Sequence, residues 1–361
     1  MKITVLGTRG IPNIQGGVET HCEYLYPRIA ATGHEVILIR RKSYCNNDRI
    51  VEYKGISLVD LNTPKKKSFE AIIHTFRAIR KAKKLKTDIV HIHAIGPALL
   101  TPFARILGMK VVFTHHGADY DRDKWGKAAK IMLKLGERFG CMFANEVIVI
   151  SNVIDNSIKE KYNRNDANLI YNGVPTPTII SSINYLKELG VDSQKYVFAM
   201  GRFVPEKNFH HLIGAFVSLK QEGYKLVIAG DADFEDDYSK GLKELAIENN
   251  VILTGFIKGD KLYELLTHAK VFVLPSSHEG LPIALLEAMS YQLPIVVSDI
   301  PANLEVGLEP SCYFHVGNEK ELAEKINVVL NNSEVNRINY NMEPYHWDRI
   351  AEQTMTIYKK L

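Results

Sequence analysis

Long apolar runs are missing from this 361-residue chain. No stretch approaches the ~18 consecutive apolar residues that a membrane-spanning helix needs. The first apolar run, Ile3 to Leu6, falls far short of the ~7–15 residues at the heart of a secretory leader, so none is expected. Cysteine is scarce: Cys22, Cys45, Cys141 and Cys312 are scattered and share no metal-ligand spacing. That pattern excludes a disulfide framework and points to reduced thiols in a cytoplasmic protein. No low-complexity segment interrupts the chain. A dinucleotide fingerprint is also absent. The opening "LGTRGIPNIQGG" gives only Gly7-x-x-Gly10, and the pair Gly16-Gly17 comes too late. The following apolar run, "EVILIR", leads into Arg40-Arg41 where an NAD site wants an acidic residue. Two arginines do suit a 2′-phosphate, so an NADP-dependent oxidoreductase stays open as an alternative.

What is present is an ordinary globular composition, 46% hydrophobic and 24% charged, at a length that favours two domains. The charge is unevenly spread. Residues 1–175 carry 28 Lys+Arg against 16 Asp+Glu, and the remainder carries 17 against 25. A basic half of this kind suits an anionic partner. Its densest run is "TPKKKSFEAIIHTFRAIRKAKKLK". Phe69, Ile72, Ile73, Phe76 and Ile79 recur near helical spacing, with Arg77, Arg80, Lys81, Lys83 and Lys84 around them. Two readings stand side by side: residues 65–86 rest on an anionic membrane surface, or they form a core-facing helix with a solvated basic back. No nucleic-acid motif is found, so nucleic acid is not expected as the partner.

Short β-branched runs mark the strands. In the first half they are "ITVLG", "EVILIR", "ISLVDL", "DIVHIH", "KVVFTHH" and "EVIVIS". Helix-like stretches separate several of them, the signature of βαβ units in a doubly wound parallel sheet. Gly173, Pro175 and Pro177 break the pattern. It restarts with "YVFAMGR", "KLVIAGD", "VILTGF", "VFVLPS", "PIVVSD" and "CYFHV". The expected organisation is a first Rossmann-like domain over 1–175 and a second over 190–345. A terminal helix at about 346–361 packs back on the first, with Trp347, Ile350, Ala351, Met355 and Tyr358 on one face.

The chemistry gathers where strands end. After "VFVLP" come Ser276 to Gly280, and a helix is predicted from about Leu281 or Pro282. Free N–H groups at a helix start favour an anion such as phosphate. Glu279 and Glu287, eight residues apart, suit sugar hydroxyls as acceptors. Arg202 and Lys207 in "GRFVPEKN" follow another strand end and can reach a diphosphate. Each of these alone also reads as an ordinary surface residue or salt-bridge partner. His91 and His93 alternate along one strand face, but no third ligand is evident, and no metal is expected. His115 reads as a core histidine at a strand end.

Taken together, "GRFVPEKN", "SSHEGLPIALLEAMS" and "YHWDRIAEQ" resemble the retaining glycosyltransferases of family 4, which have the GT-B fold. "LGTRGIPNIQGGVET" and "GADYDRDKWGKAAK" are similar to bacterial rhamnosyltransferase-type members of surface polysaccharide synthesis. The resemblance implies two facing Rossmann-like domains with a cleft and no cofactor beyond a nucleotide-diphosphate sugar as co-substrate. It implies a glycan or lipid-linked saccharide as acceptor. It assigns Arg202 and Lys207 to the donor diphosphate, Glu287 to the ribose, Glu279 to the transferred sugar, and the backbone of Gly280 and Leu281 to phosphate or sugar. His116 contacts the donor sugar near the reacting carbon. Gly16 and Gly17 meet the donor phosphates, and Asp119 and Arg122 lie on the acceptor side. Backbone near Phe256 and Ile257 is the expected seat of the base. Arg9 has no assigned role. A nucleotide-sugar epimerase of the same fold, or a lectin-like scaffold, remains as an alternative.

Overall fold

The computed structural model describes residues 1–45, 50–63, 70–121, 126–233, 235–332 and 337–361. It divides into two compact units, Met1–Gly173 with Pro344–Leu361, and Val174–Glu343.

In the first unit the described strands are β1 (Lys2–Leu6), β2 (Glu35–Arg41), β3 (Glu52–Tyr53), β4 (Ile56–Leu61), β5 (Ile89–His93), β6 (Lys110–His115), β7 (Glu146–Val149) and β8 (Asn168–Leu169). Their order is β3-β4-β2-β1-β5-β6-β7-β8. All neighbours run parallel except β3, which pairs antiparallel with β4. β1 and β5 are buried almost throughout because helices cover both sheet faces, and β5 carries His91 and His93 into that interior. The chain winds outward from β1 in one direction through β2, then returns to β5 and winds the other way. The ends of β1 and β5 are therefore the switch point where ligands of such sheets bind.

The second unit holds β9 (Tyr196–Met200), β10 (Lys225–Ala229), β11 (Ile252–Leu253), β12 (Val271–Leu274), β13 (Ile295–Ser298) and β14 (Tyr313–Phe314). They form an all-parallel sheet in the order β11-β10-β9-β12-β13-β14, with its switch point between β9 and β12. Its core is built on Val197, Ala199, Phe209, Leu226, Ile228, Val271 and Val273.

Every strand expected from the sequence is present. The short strands β3 and β8, Glu52–Tyr53 and Asn168–Leu169, have no β-branched residue of their own to mark them in the sequence. The terminal helix, Trp347–Lys359, buries Trp347, Ile350, Ala351, Met355 and Tyr358, the face the sequence presented. They join Ile3, Val5, Leu25, Tyr26 and Ile29 in the first unit's core. Gly173 is bare for this reason: a Cβ there would lie 2.4 Å from Trp347 Cδ2.

The basic helix differs from its expected orientation. Over Glu70–Lys84 the inward face is His74, Thr75, Ala78, Ile79 and Ala82, while Phe76 is exposed. The small side chains let the helix approach the sheet, and Phe76 instead stacks on Phe103 at 5.0 Å beneath the Arg80 guanidinium. Lys65 to Phe69 lie outside the described residues. No described helix is long and apolar enough to cross a membrane.

Candidate functional site

The loop after β1 turns on Gly7, which has φ +102° and sits so close to β5 that a Cβ would meet His93 O at 2.1 Å. Gly16 caps the helix Gly17–Ala31 with φ 147°. A Cβ on Gly16 would lie 2.1 Å from Glu19 Oε2, whereas one on Gly17 would meet nothing within 4 Å. Arg9, unassigned from the sequence, ties this loop together. Its backbone N–H donates to Glu19 Oε1 at 3.0 Å, its Nη2 to Glu19 Oε2 at 3.1 Å, and Nη2 also to Gln15 O. Thr8 Oγ1 donates to the same carboxylate. Glu19, buried at the helix start, thus holds the loop's shape, a role the sequence did not disclose.

Arg40 is buried, and its guanidinium is committed to Asp60 at 2.7 and 3.0 Å and to the carbonyls of Ile11 and Ile50. It is a strut between β2 and β4, which removes one of the two arginines that kept a 2′-phosphate site open.

His115 and His116 part company at the end of β6. His115 Nε2 donates to Glu137 at 2.8 Å, and its Nδ1 accepts from Gly117 N–H at 3.1 Å. This fixes its tautomer and makes it a core histidine. Burial pushes the Glu137 carboxyl up, but hydrogen bonds from His115 and Tyr162 outweigh it and hold the group below its ordinary value. His116 is only partly buried. It stands in a cluster that corrects the sequence reading of His91 and His93 as a pair without further partners. His21 and His116 join His93, with ligand atoms all within 4.8 Å of one another. His21 is a lone histidine on the helix Gly17–Ala31 and carried no sequence signal. Its Nδ1 bonds Asn172 Oδ1 at 3.0 Å. His93 Nδ1 and His116 Nε2 are 2.8 Å apart, the length of an N–H···N hydrogen bond. Burial pushes His21 down to about 4 and holds His91, His93 and His116 well below the ordinary imidazole value. All four are neutral near pH 7. Asp119 lies in the single turn Asp119–Asp121; Arg122 lies outside the described residues.

In the second unit, the loops after β9 and β12 are stitched together. Ser277 N–H donates to Glu206 O at 2.9 Å, and Asn208 Nδ2 to Pro275 O at 3.1 Å. Lys207 and Glu279 form a mostly buried ion pair, so two predicted site residues touch. Arg202 is held by Asp233 at 2.9 Å. Both cations stand beside the switch point with their positions set by carboxylates. Gly280 and Leu281 lead into the helix Ile283–Ser290, with Pro282 as its N-cap. Glu287 lies on that helix, and its carboxylate has no hydrogen bond among the described residues. Burial raises it to about 7, with Lys258 pulling the other way. Phe256, under Lys258, is 41% exposed just past β11.

The comparisons with known proteins agree with this arrangement. A model for "Glycosyltransferase Family 4" matches residues 15–177, and one for "Glycosyl transferases group 1" matches 183–343. An uncharacterized glycosyltransferase of Methanocaldococcus jannaschii is 28% identical over 99% of this chain and 98% of its own. The UDP-Gal:alpha-D-GlcNAc-diphosphoundecaprenol alpha-1,3-galactosyltransferase of Escherichia coli is 32% identical over 66% of this chain and 63% of its own. Among solved structures, Anabaena HepE in complex with UDP-glucose superposes with a TM-score of 0.81 at 18% identity, covering 99% of both chains, which speaks to the fold. Two parallel-sheet units of this build, matched in order along the chain, make this a glycosyltransferase of the GT-B fold, composed of a family 4 domain followed by a group 1 domain.

Proposed function

We propose that the protein is a retaining, metal-independent hexosyltransferase. It moves a sugar from a nucleotide-diphosphate sugar to a hydroxyl of a glycan or lipid-linked acceptor in bacterial surface polysaccharide synthesis, in the manner of the rhamnosyltransferase-type members. One observation carries the reading. The cations that suit a diphosphate, Arg202 and Lys207, follow the carboxyl end of β9, the carboxylate Glu279 follows that of the neighbouring β12 with Glu287 on the next helix, and Lys207 pairs directly with Glu279. A relative whose name states a UDP-Gal donor and a diphosphoundecaprenol-linked acceptor supports the donor and acceptor classes.

In this mechanism Arg202, Lys207 and the N–H groups opening the helix Ile283–Ser290 meet the charge that develops on the departing diphosphate. Glu287 accepts from the ribose hydroxyls and Glu279 from the transferred sugar. The acceptor oxygen bonds to the anomeric carbon on the face the diphosphate leaves. The anomeric C–O bond to phosphate breaks, and the leaving phosphate oxygen takes the acceptor's proton. The deciding experiment screens nucleotide-diphosphate sugars by thermal stabilisation, then follows transfer by the anomeric signal of the product. Retained configuration is expected, with Arg202→Ala and Lys207→Ala each losing about 100-fold in kcat. Inverted product, release of an epimerised donor without acceptor, or full activity in both variants would refute the reading.

A second element of the proposal is association with anionic membrane from the cytoplasmic side. The helix Lys127–Phe143 exposes Ile131, Leu135 and Met142 in one stripe, flanked by exposed Lys127, Lys134 and Arg138. The helix Glu70–Lys84 adds exposed Arg77, Arg80, Lys83 and Lys84. Apolar and basic groups together suit an anionic leaflet. Sedimentation with phosphatidylglycerol vesicles is expected, and with phosphatidylcholine vesicles it is not. Equal binding to both, or to neither, would dispose of this element.

A further inference from the structure

Arg41 closes β2, and its side chain is left without a bonded partner. Its backbone N–H donates to Arg9 O at 2.9 Å, which ties the strand end to the loop after β1. Its guanidinium makes no hydrogen bond among the described residues, and its Nε is shielded from solvent. Arg9, Arg28, Arg40, Arg164 and Arg202, the other described arginines short of full exposure, each donate to a carboxylate or a carbonyl.

The carboxylates around Arg41 are engaged elsewhere. Glu70, which acts on it most strongly, accepts from Ser43 Oγ at 2.7 Å and Thr63 Oγ1 at 3.0 Å, with the Tyr44 hydroxyl at 3.4 Å. Glu19 is held by Arg9 and Thr8. His74, on the inward face of the helix that Glu70 opens, is pushed down to about 4 by burial and by the Arg41 charge, so it adds no counter-charge near pH 7. Burial and the repulsion of Arg9 outweigh the pull of Glu70, Tyr44 and Glu19, and hold the Arg41 guanidinium below its ordinary value. An arginine keeps its proton in a protein, so the desolvated charge stays incompletely compensated.

Its place in the fold indicates what compensates it. Ligands of doubly wound sheets gather outside the carboxyl ends of the strands, where Arg41 stands. A planar fork of N–H donors matches the oxygens of a phosphate. The donor's diphosphate is already assigned to Arg202 and Lys207 in the second unit, so the anion left for the first unit is the acceptor's. A saccharide joined to lipid through phosphate carries such an anion, and a plain glycan does not.

We propose that Arg41 is a specificity-determining residue whose guanidinium takes a phosphate oxygen of the acceptor, which makes the acceptor a phosphate-linked saccharide rather than a plain glycan. The acceptor's identity rests on the glycosyltransferase reading above; the anion site at Arg41 does not.

The first test uses inorganic pyrophosphate as the probe and the full chain labelled with ¹⁵N-arginine, with Arg202→Ala and Lys207→Ala together so that the second unit does not compete. The Arg41 Nε–H signal, assigned by its loss in Arg41→Lys, is expected to shift saturably as pyrophosphate is added. A signal that stays in place would overturn the proposal. So would tighter binding of 2′,5′-ADP than of pyrophosphate, which would give the fork to a nucleotide 2′-phosphate. The second test offers the otherwise native enzyme one saccharide in two forms, as a short-chain lipid diphosphate and as an octyl glycoside. In Arg41→Gln the ratio of kcat/KM for the two forms is expected to fall about tenfold in disfavour of the diphosphate. An unchanged ratio, or a rise confined to the donor KM, would refute the assignment. Should Arg41→Gln fail to fold, the pyrophosphate titration decides alone. Pyrophosphate bound at Arg41 with no sugar nucleotide bound or turned over would sink the glycosyltransferase reading and leave the anion site standing.

Discussion

At the scale of single residues, neighbours decide what a side chain can do. Gly16 and Gly17 look equivalent in the sequence and are not. Gly16→Ala forces a Cβ against Glu19 at a φ that non-glycine residues avoid, so a loss of roughly 1–3 kcal/mol in urea unfolding is expected. Gly17→Ala meets no internal atom and keeps its stability within ~1 kcal/mol. If the bare backbone there serves the donor, transfer still falls about tenfold, and an unaffected rate would remove Gly17 from the site. Glu287 carries a pH prediction. Its carboxyl is raised to about 7, and in the proposed role at the donor ribose the ionised form is the stronger acceptor of two hydroxyls. Donor affinity should therefore rise about tenfold from pH 6 to pH 8 by calorimetry. Glu287→Gln should abolish that dependence, and a profile that stays the same in the variant would assign it elsewhere.

At the scale of elements, the terminal helix invites the plainest test. Trp347 packs on Gly173, stacks on Tyr24 at 5.8 Å and meets His21 edge-on at 5.4 Å. Trp347→Ala should cost about 3–5 kcal/mol in chemical denaturation, and a loss under 1 kcal/mol would mean that this contact does not anchor the helix. Elements of this kind were legible beforehand because burial imprints a period: continuous apolar runs for β9 and β12, β-branched runs broken by Thr4 in β1 and by His91 and His93 in β5, and one apolar stripe for Trp347–Lys359. The loop cations and carboxylates were legible through their spacing after strand ends. The histidine cluster was not. Its members come from residue 21, from β5 and from the end of β6, and only the parallel pairing of β1, β5 and β6 brings them together. Nor was the outward turn of Phe76, since an apolar residue at helical spacing reads alike whether it faces the sheet or another aromatic ring.

At the scale of the molecule, protonation is unevenly shared. His21 and His74 are pushed down to about 4, and His91, His93 and His116 are held well below the usual value, all within the first unit. Unfolding restores them to ~6.5, so between pH 6.5 and 4 the unfolded chain binds protons that the folded one refuses. Stability is therefore lost as pH falls through this window, by up to ~1.4 kcal/mol per pH unit for each such histidine. Glu287, raised in the second unit, works in the opposite sense: its folded form holds a proton between about 4.5 and 7, so that contribution is lost as pH rises. On acidification from pH 7.5 to 5, amides of the first unit should lose hydrogen-exchange protection before those of the second. The reverse order would contradict this assignment.

The terminal helix also bears on how the molecule is made. Trp347, Ile350 and Tyr358 complete a core whose other members include Ile3, Leu25 and Tyr26, and all of Val174–Glu343 is translated in between. The ribosome thus releases the second unit's sequence while the first still lacks one wall. The first unit to be synthesised is the last to close, and a truncation that spares every residue up to 343 leaves it open at its centre.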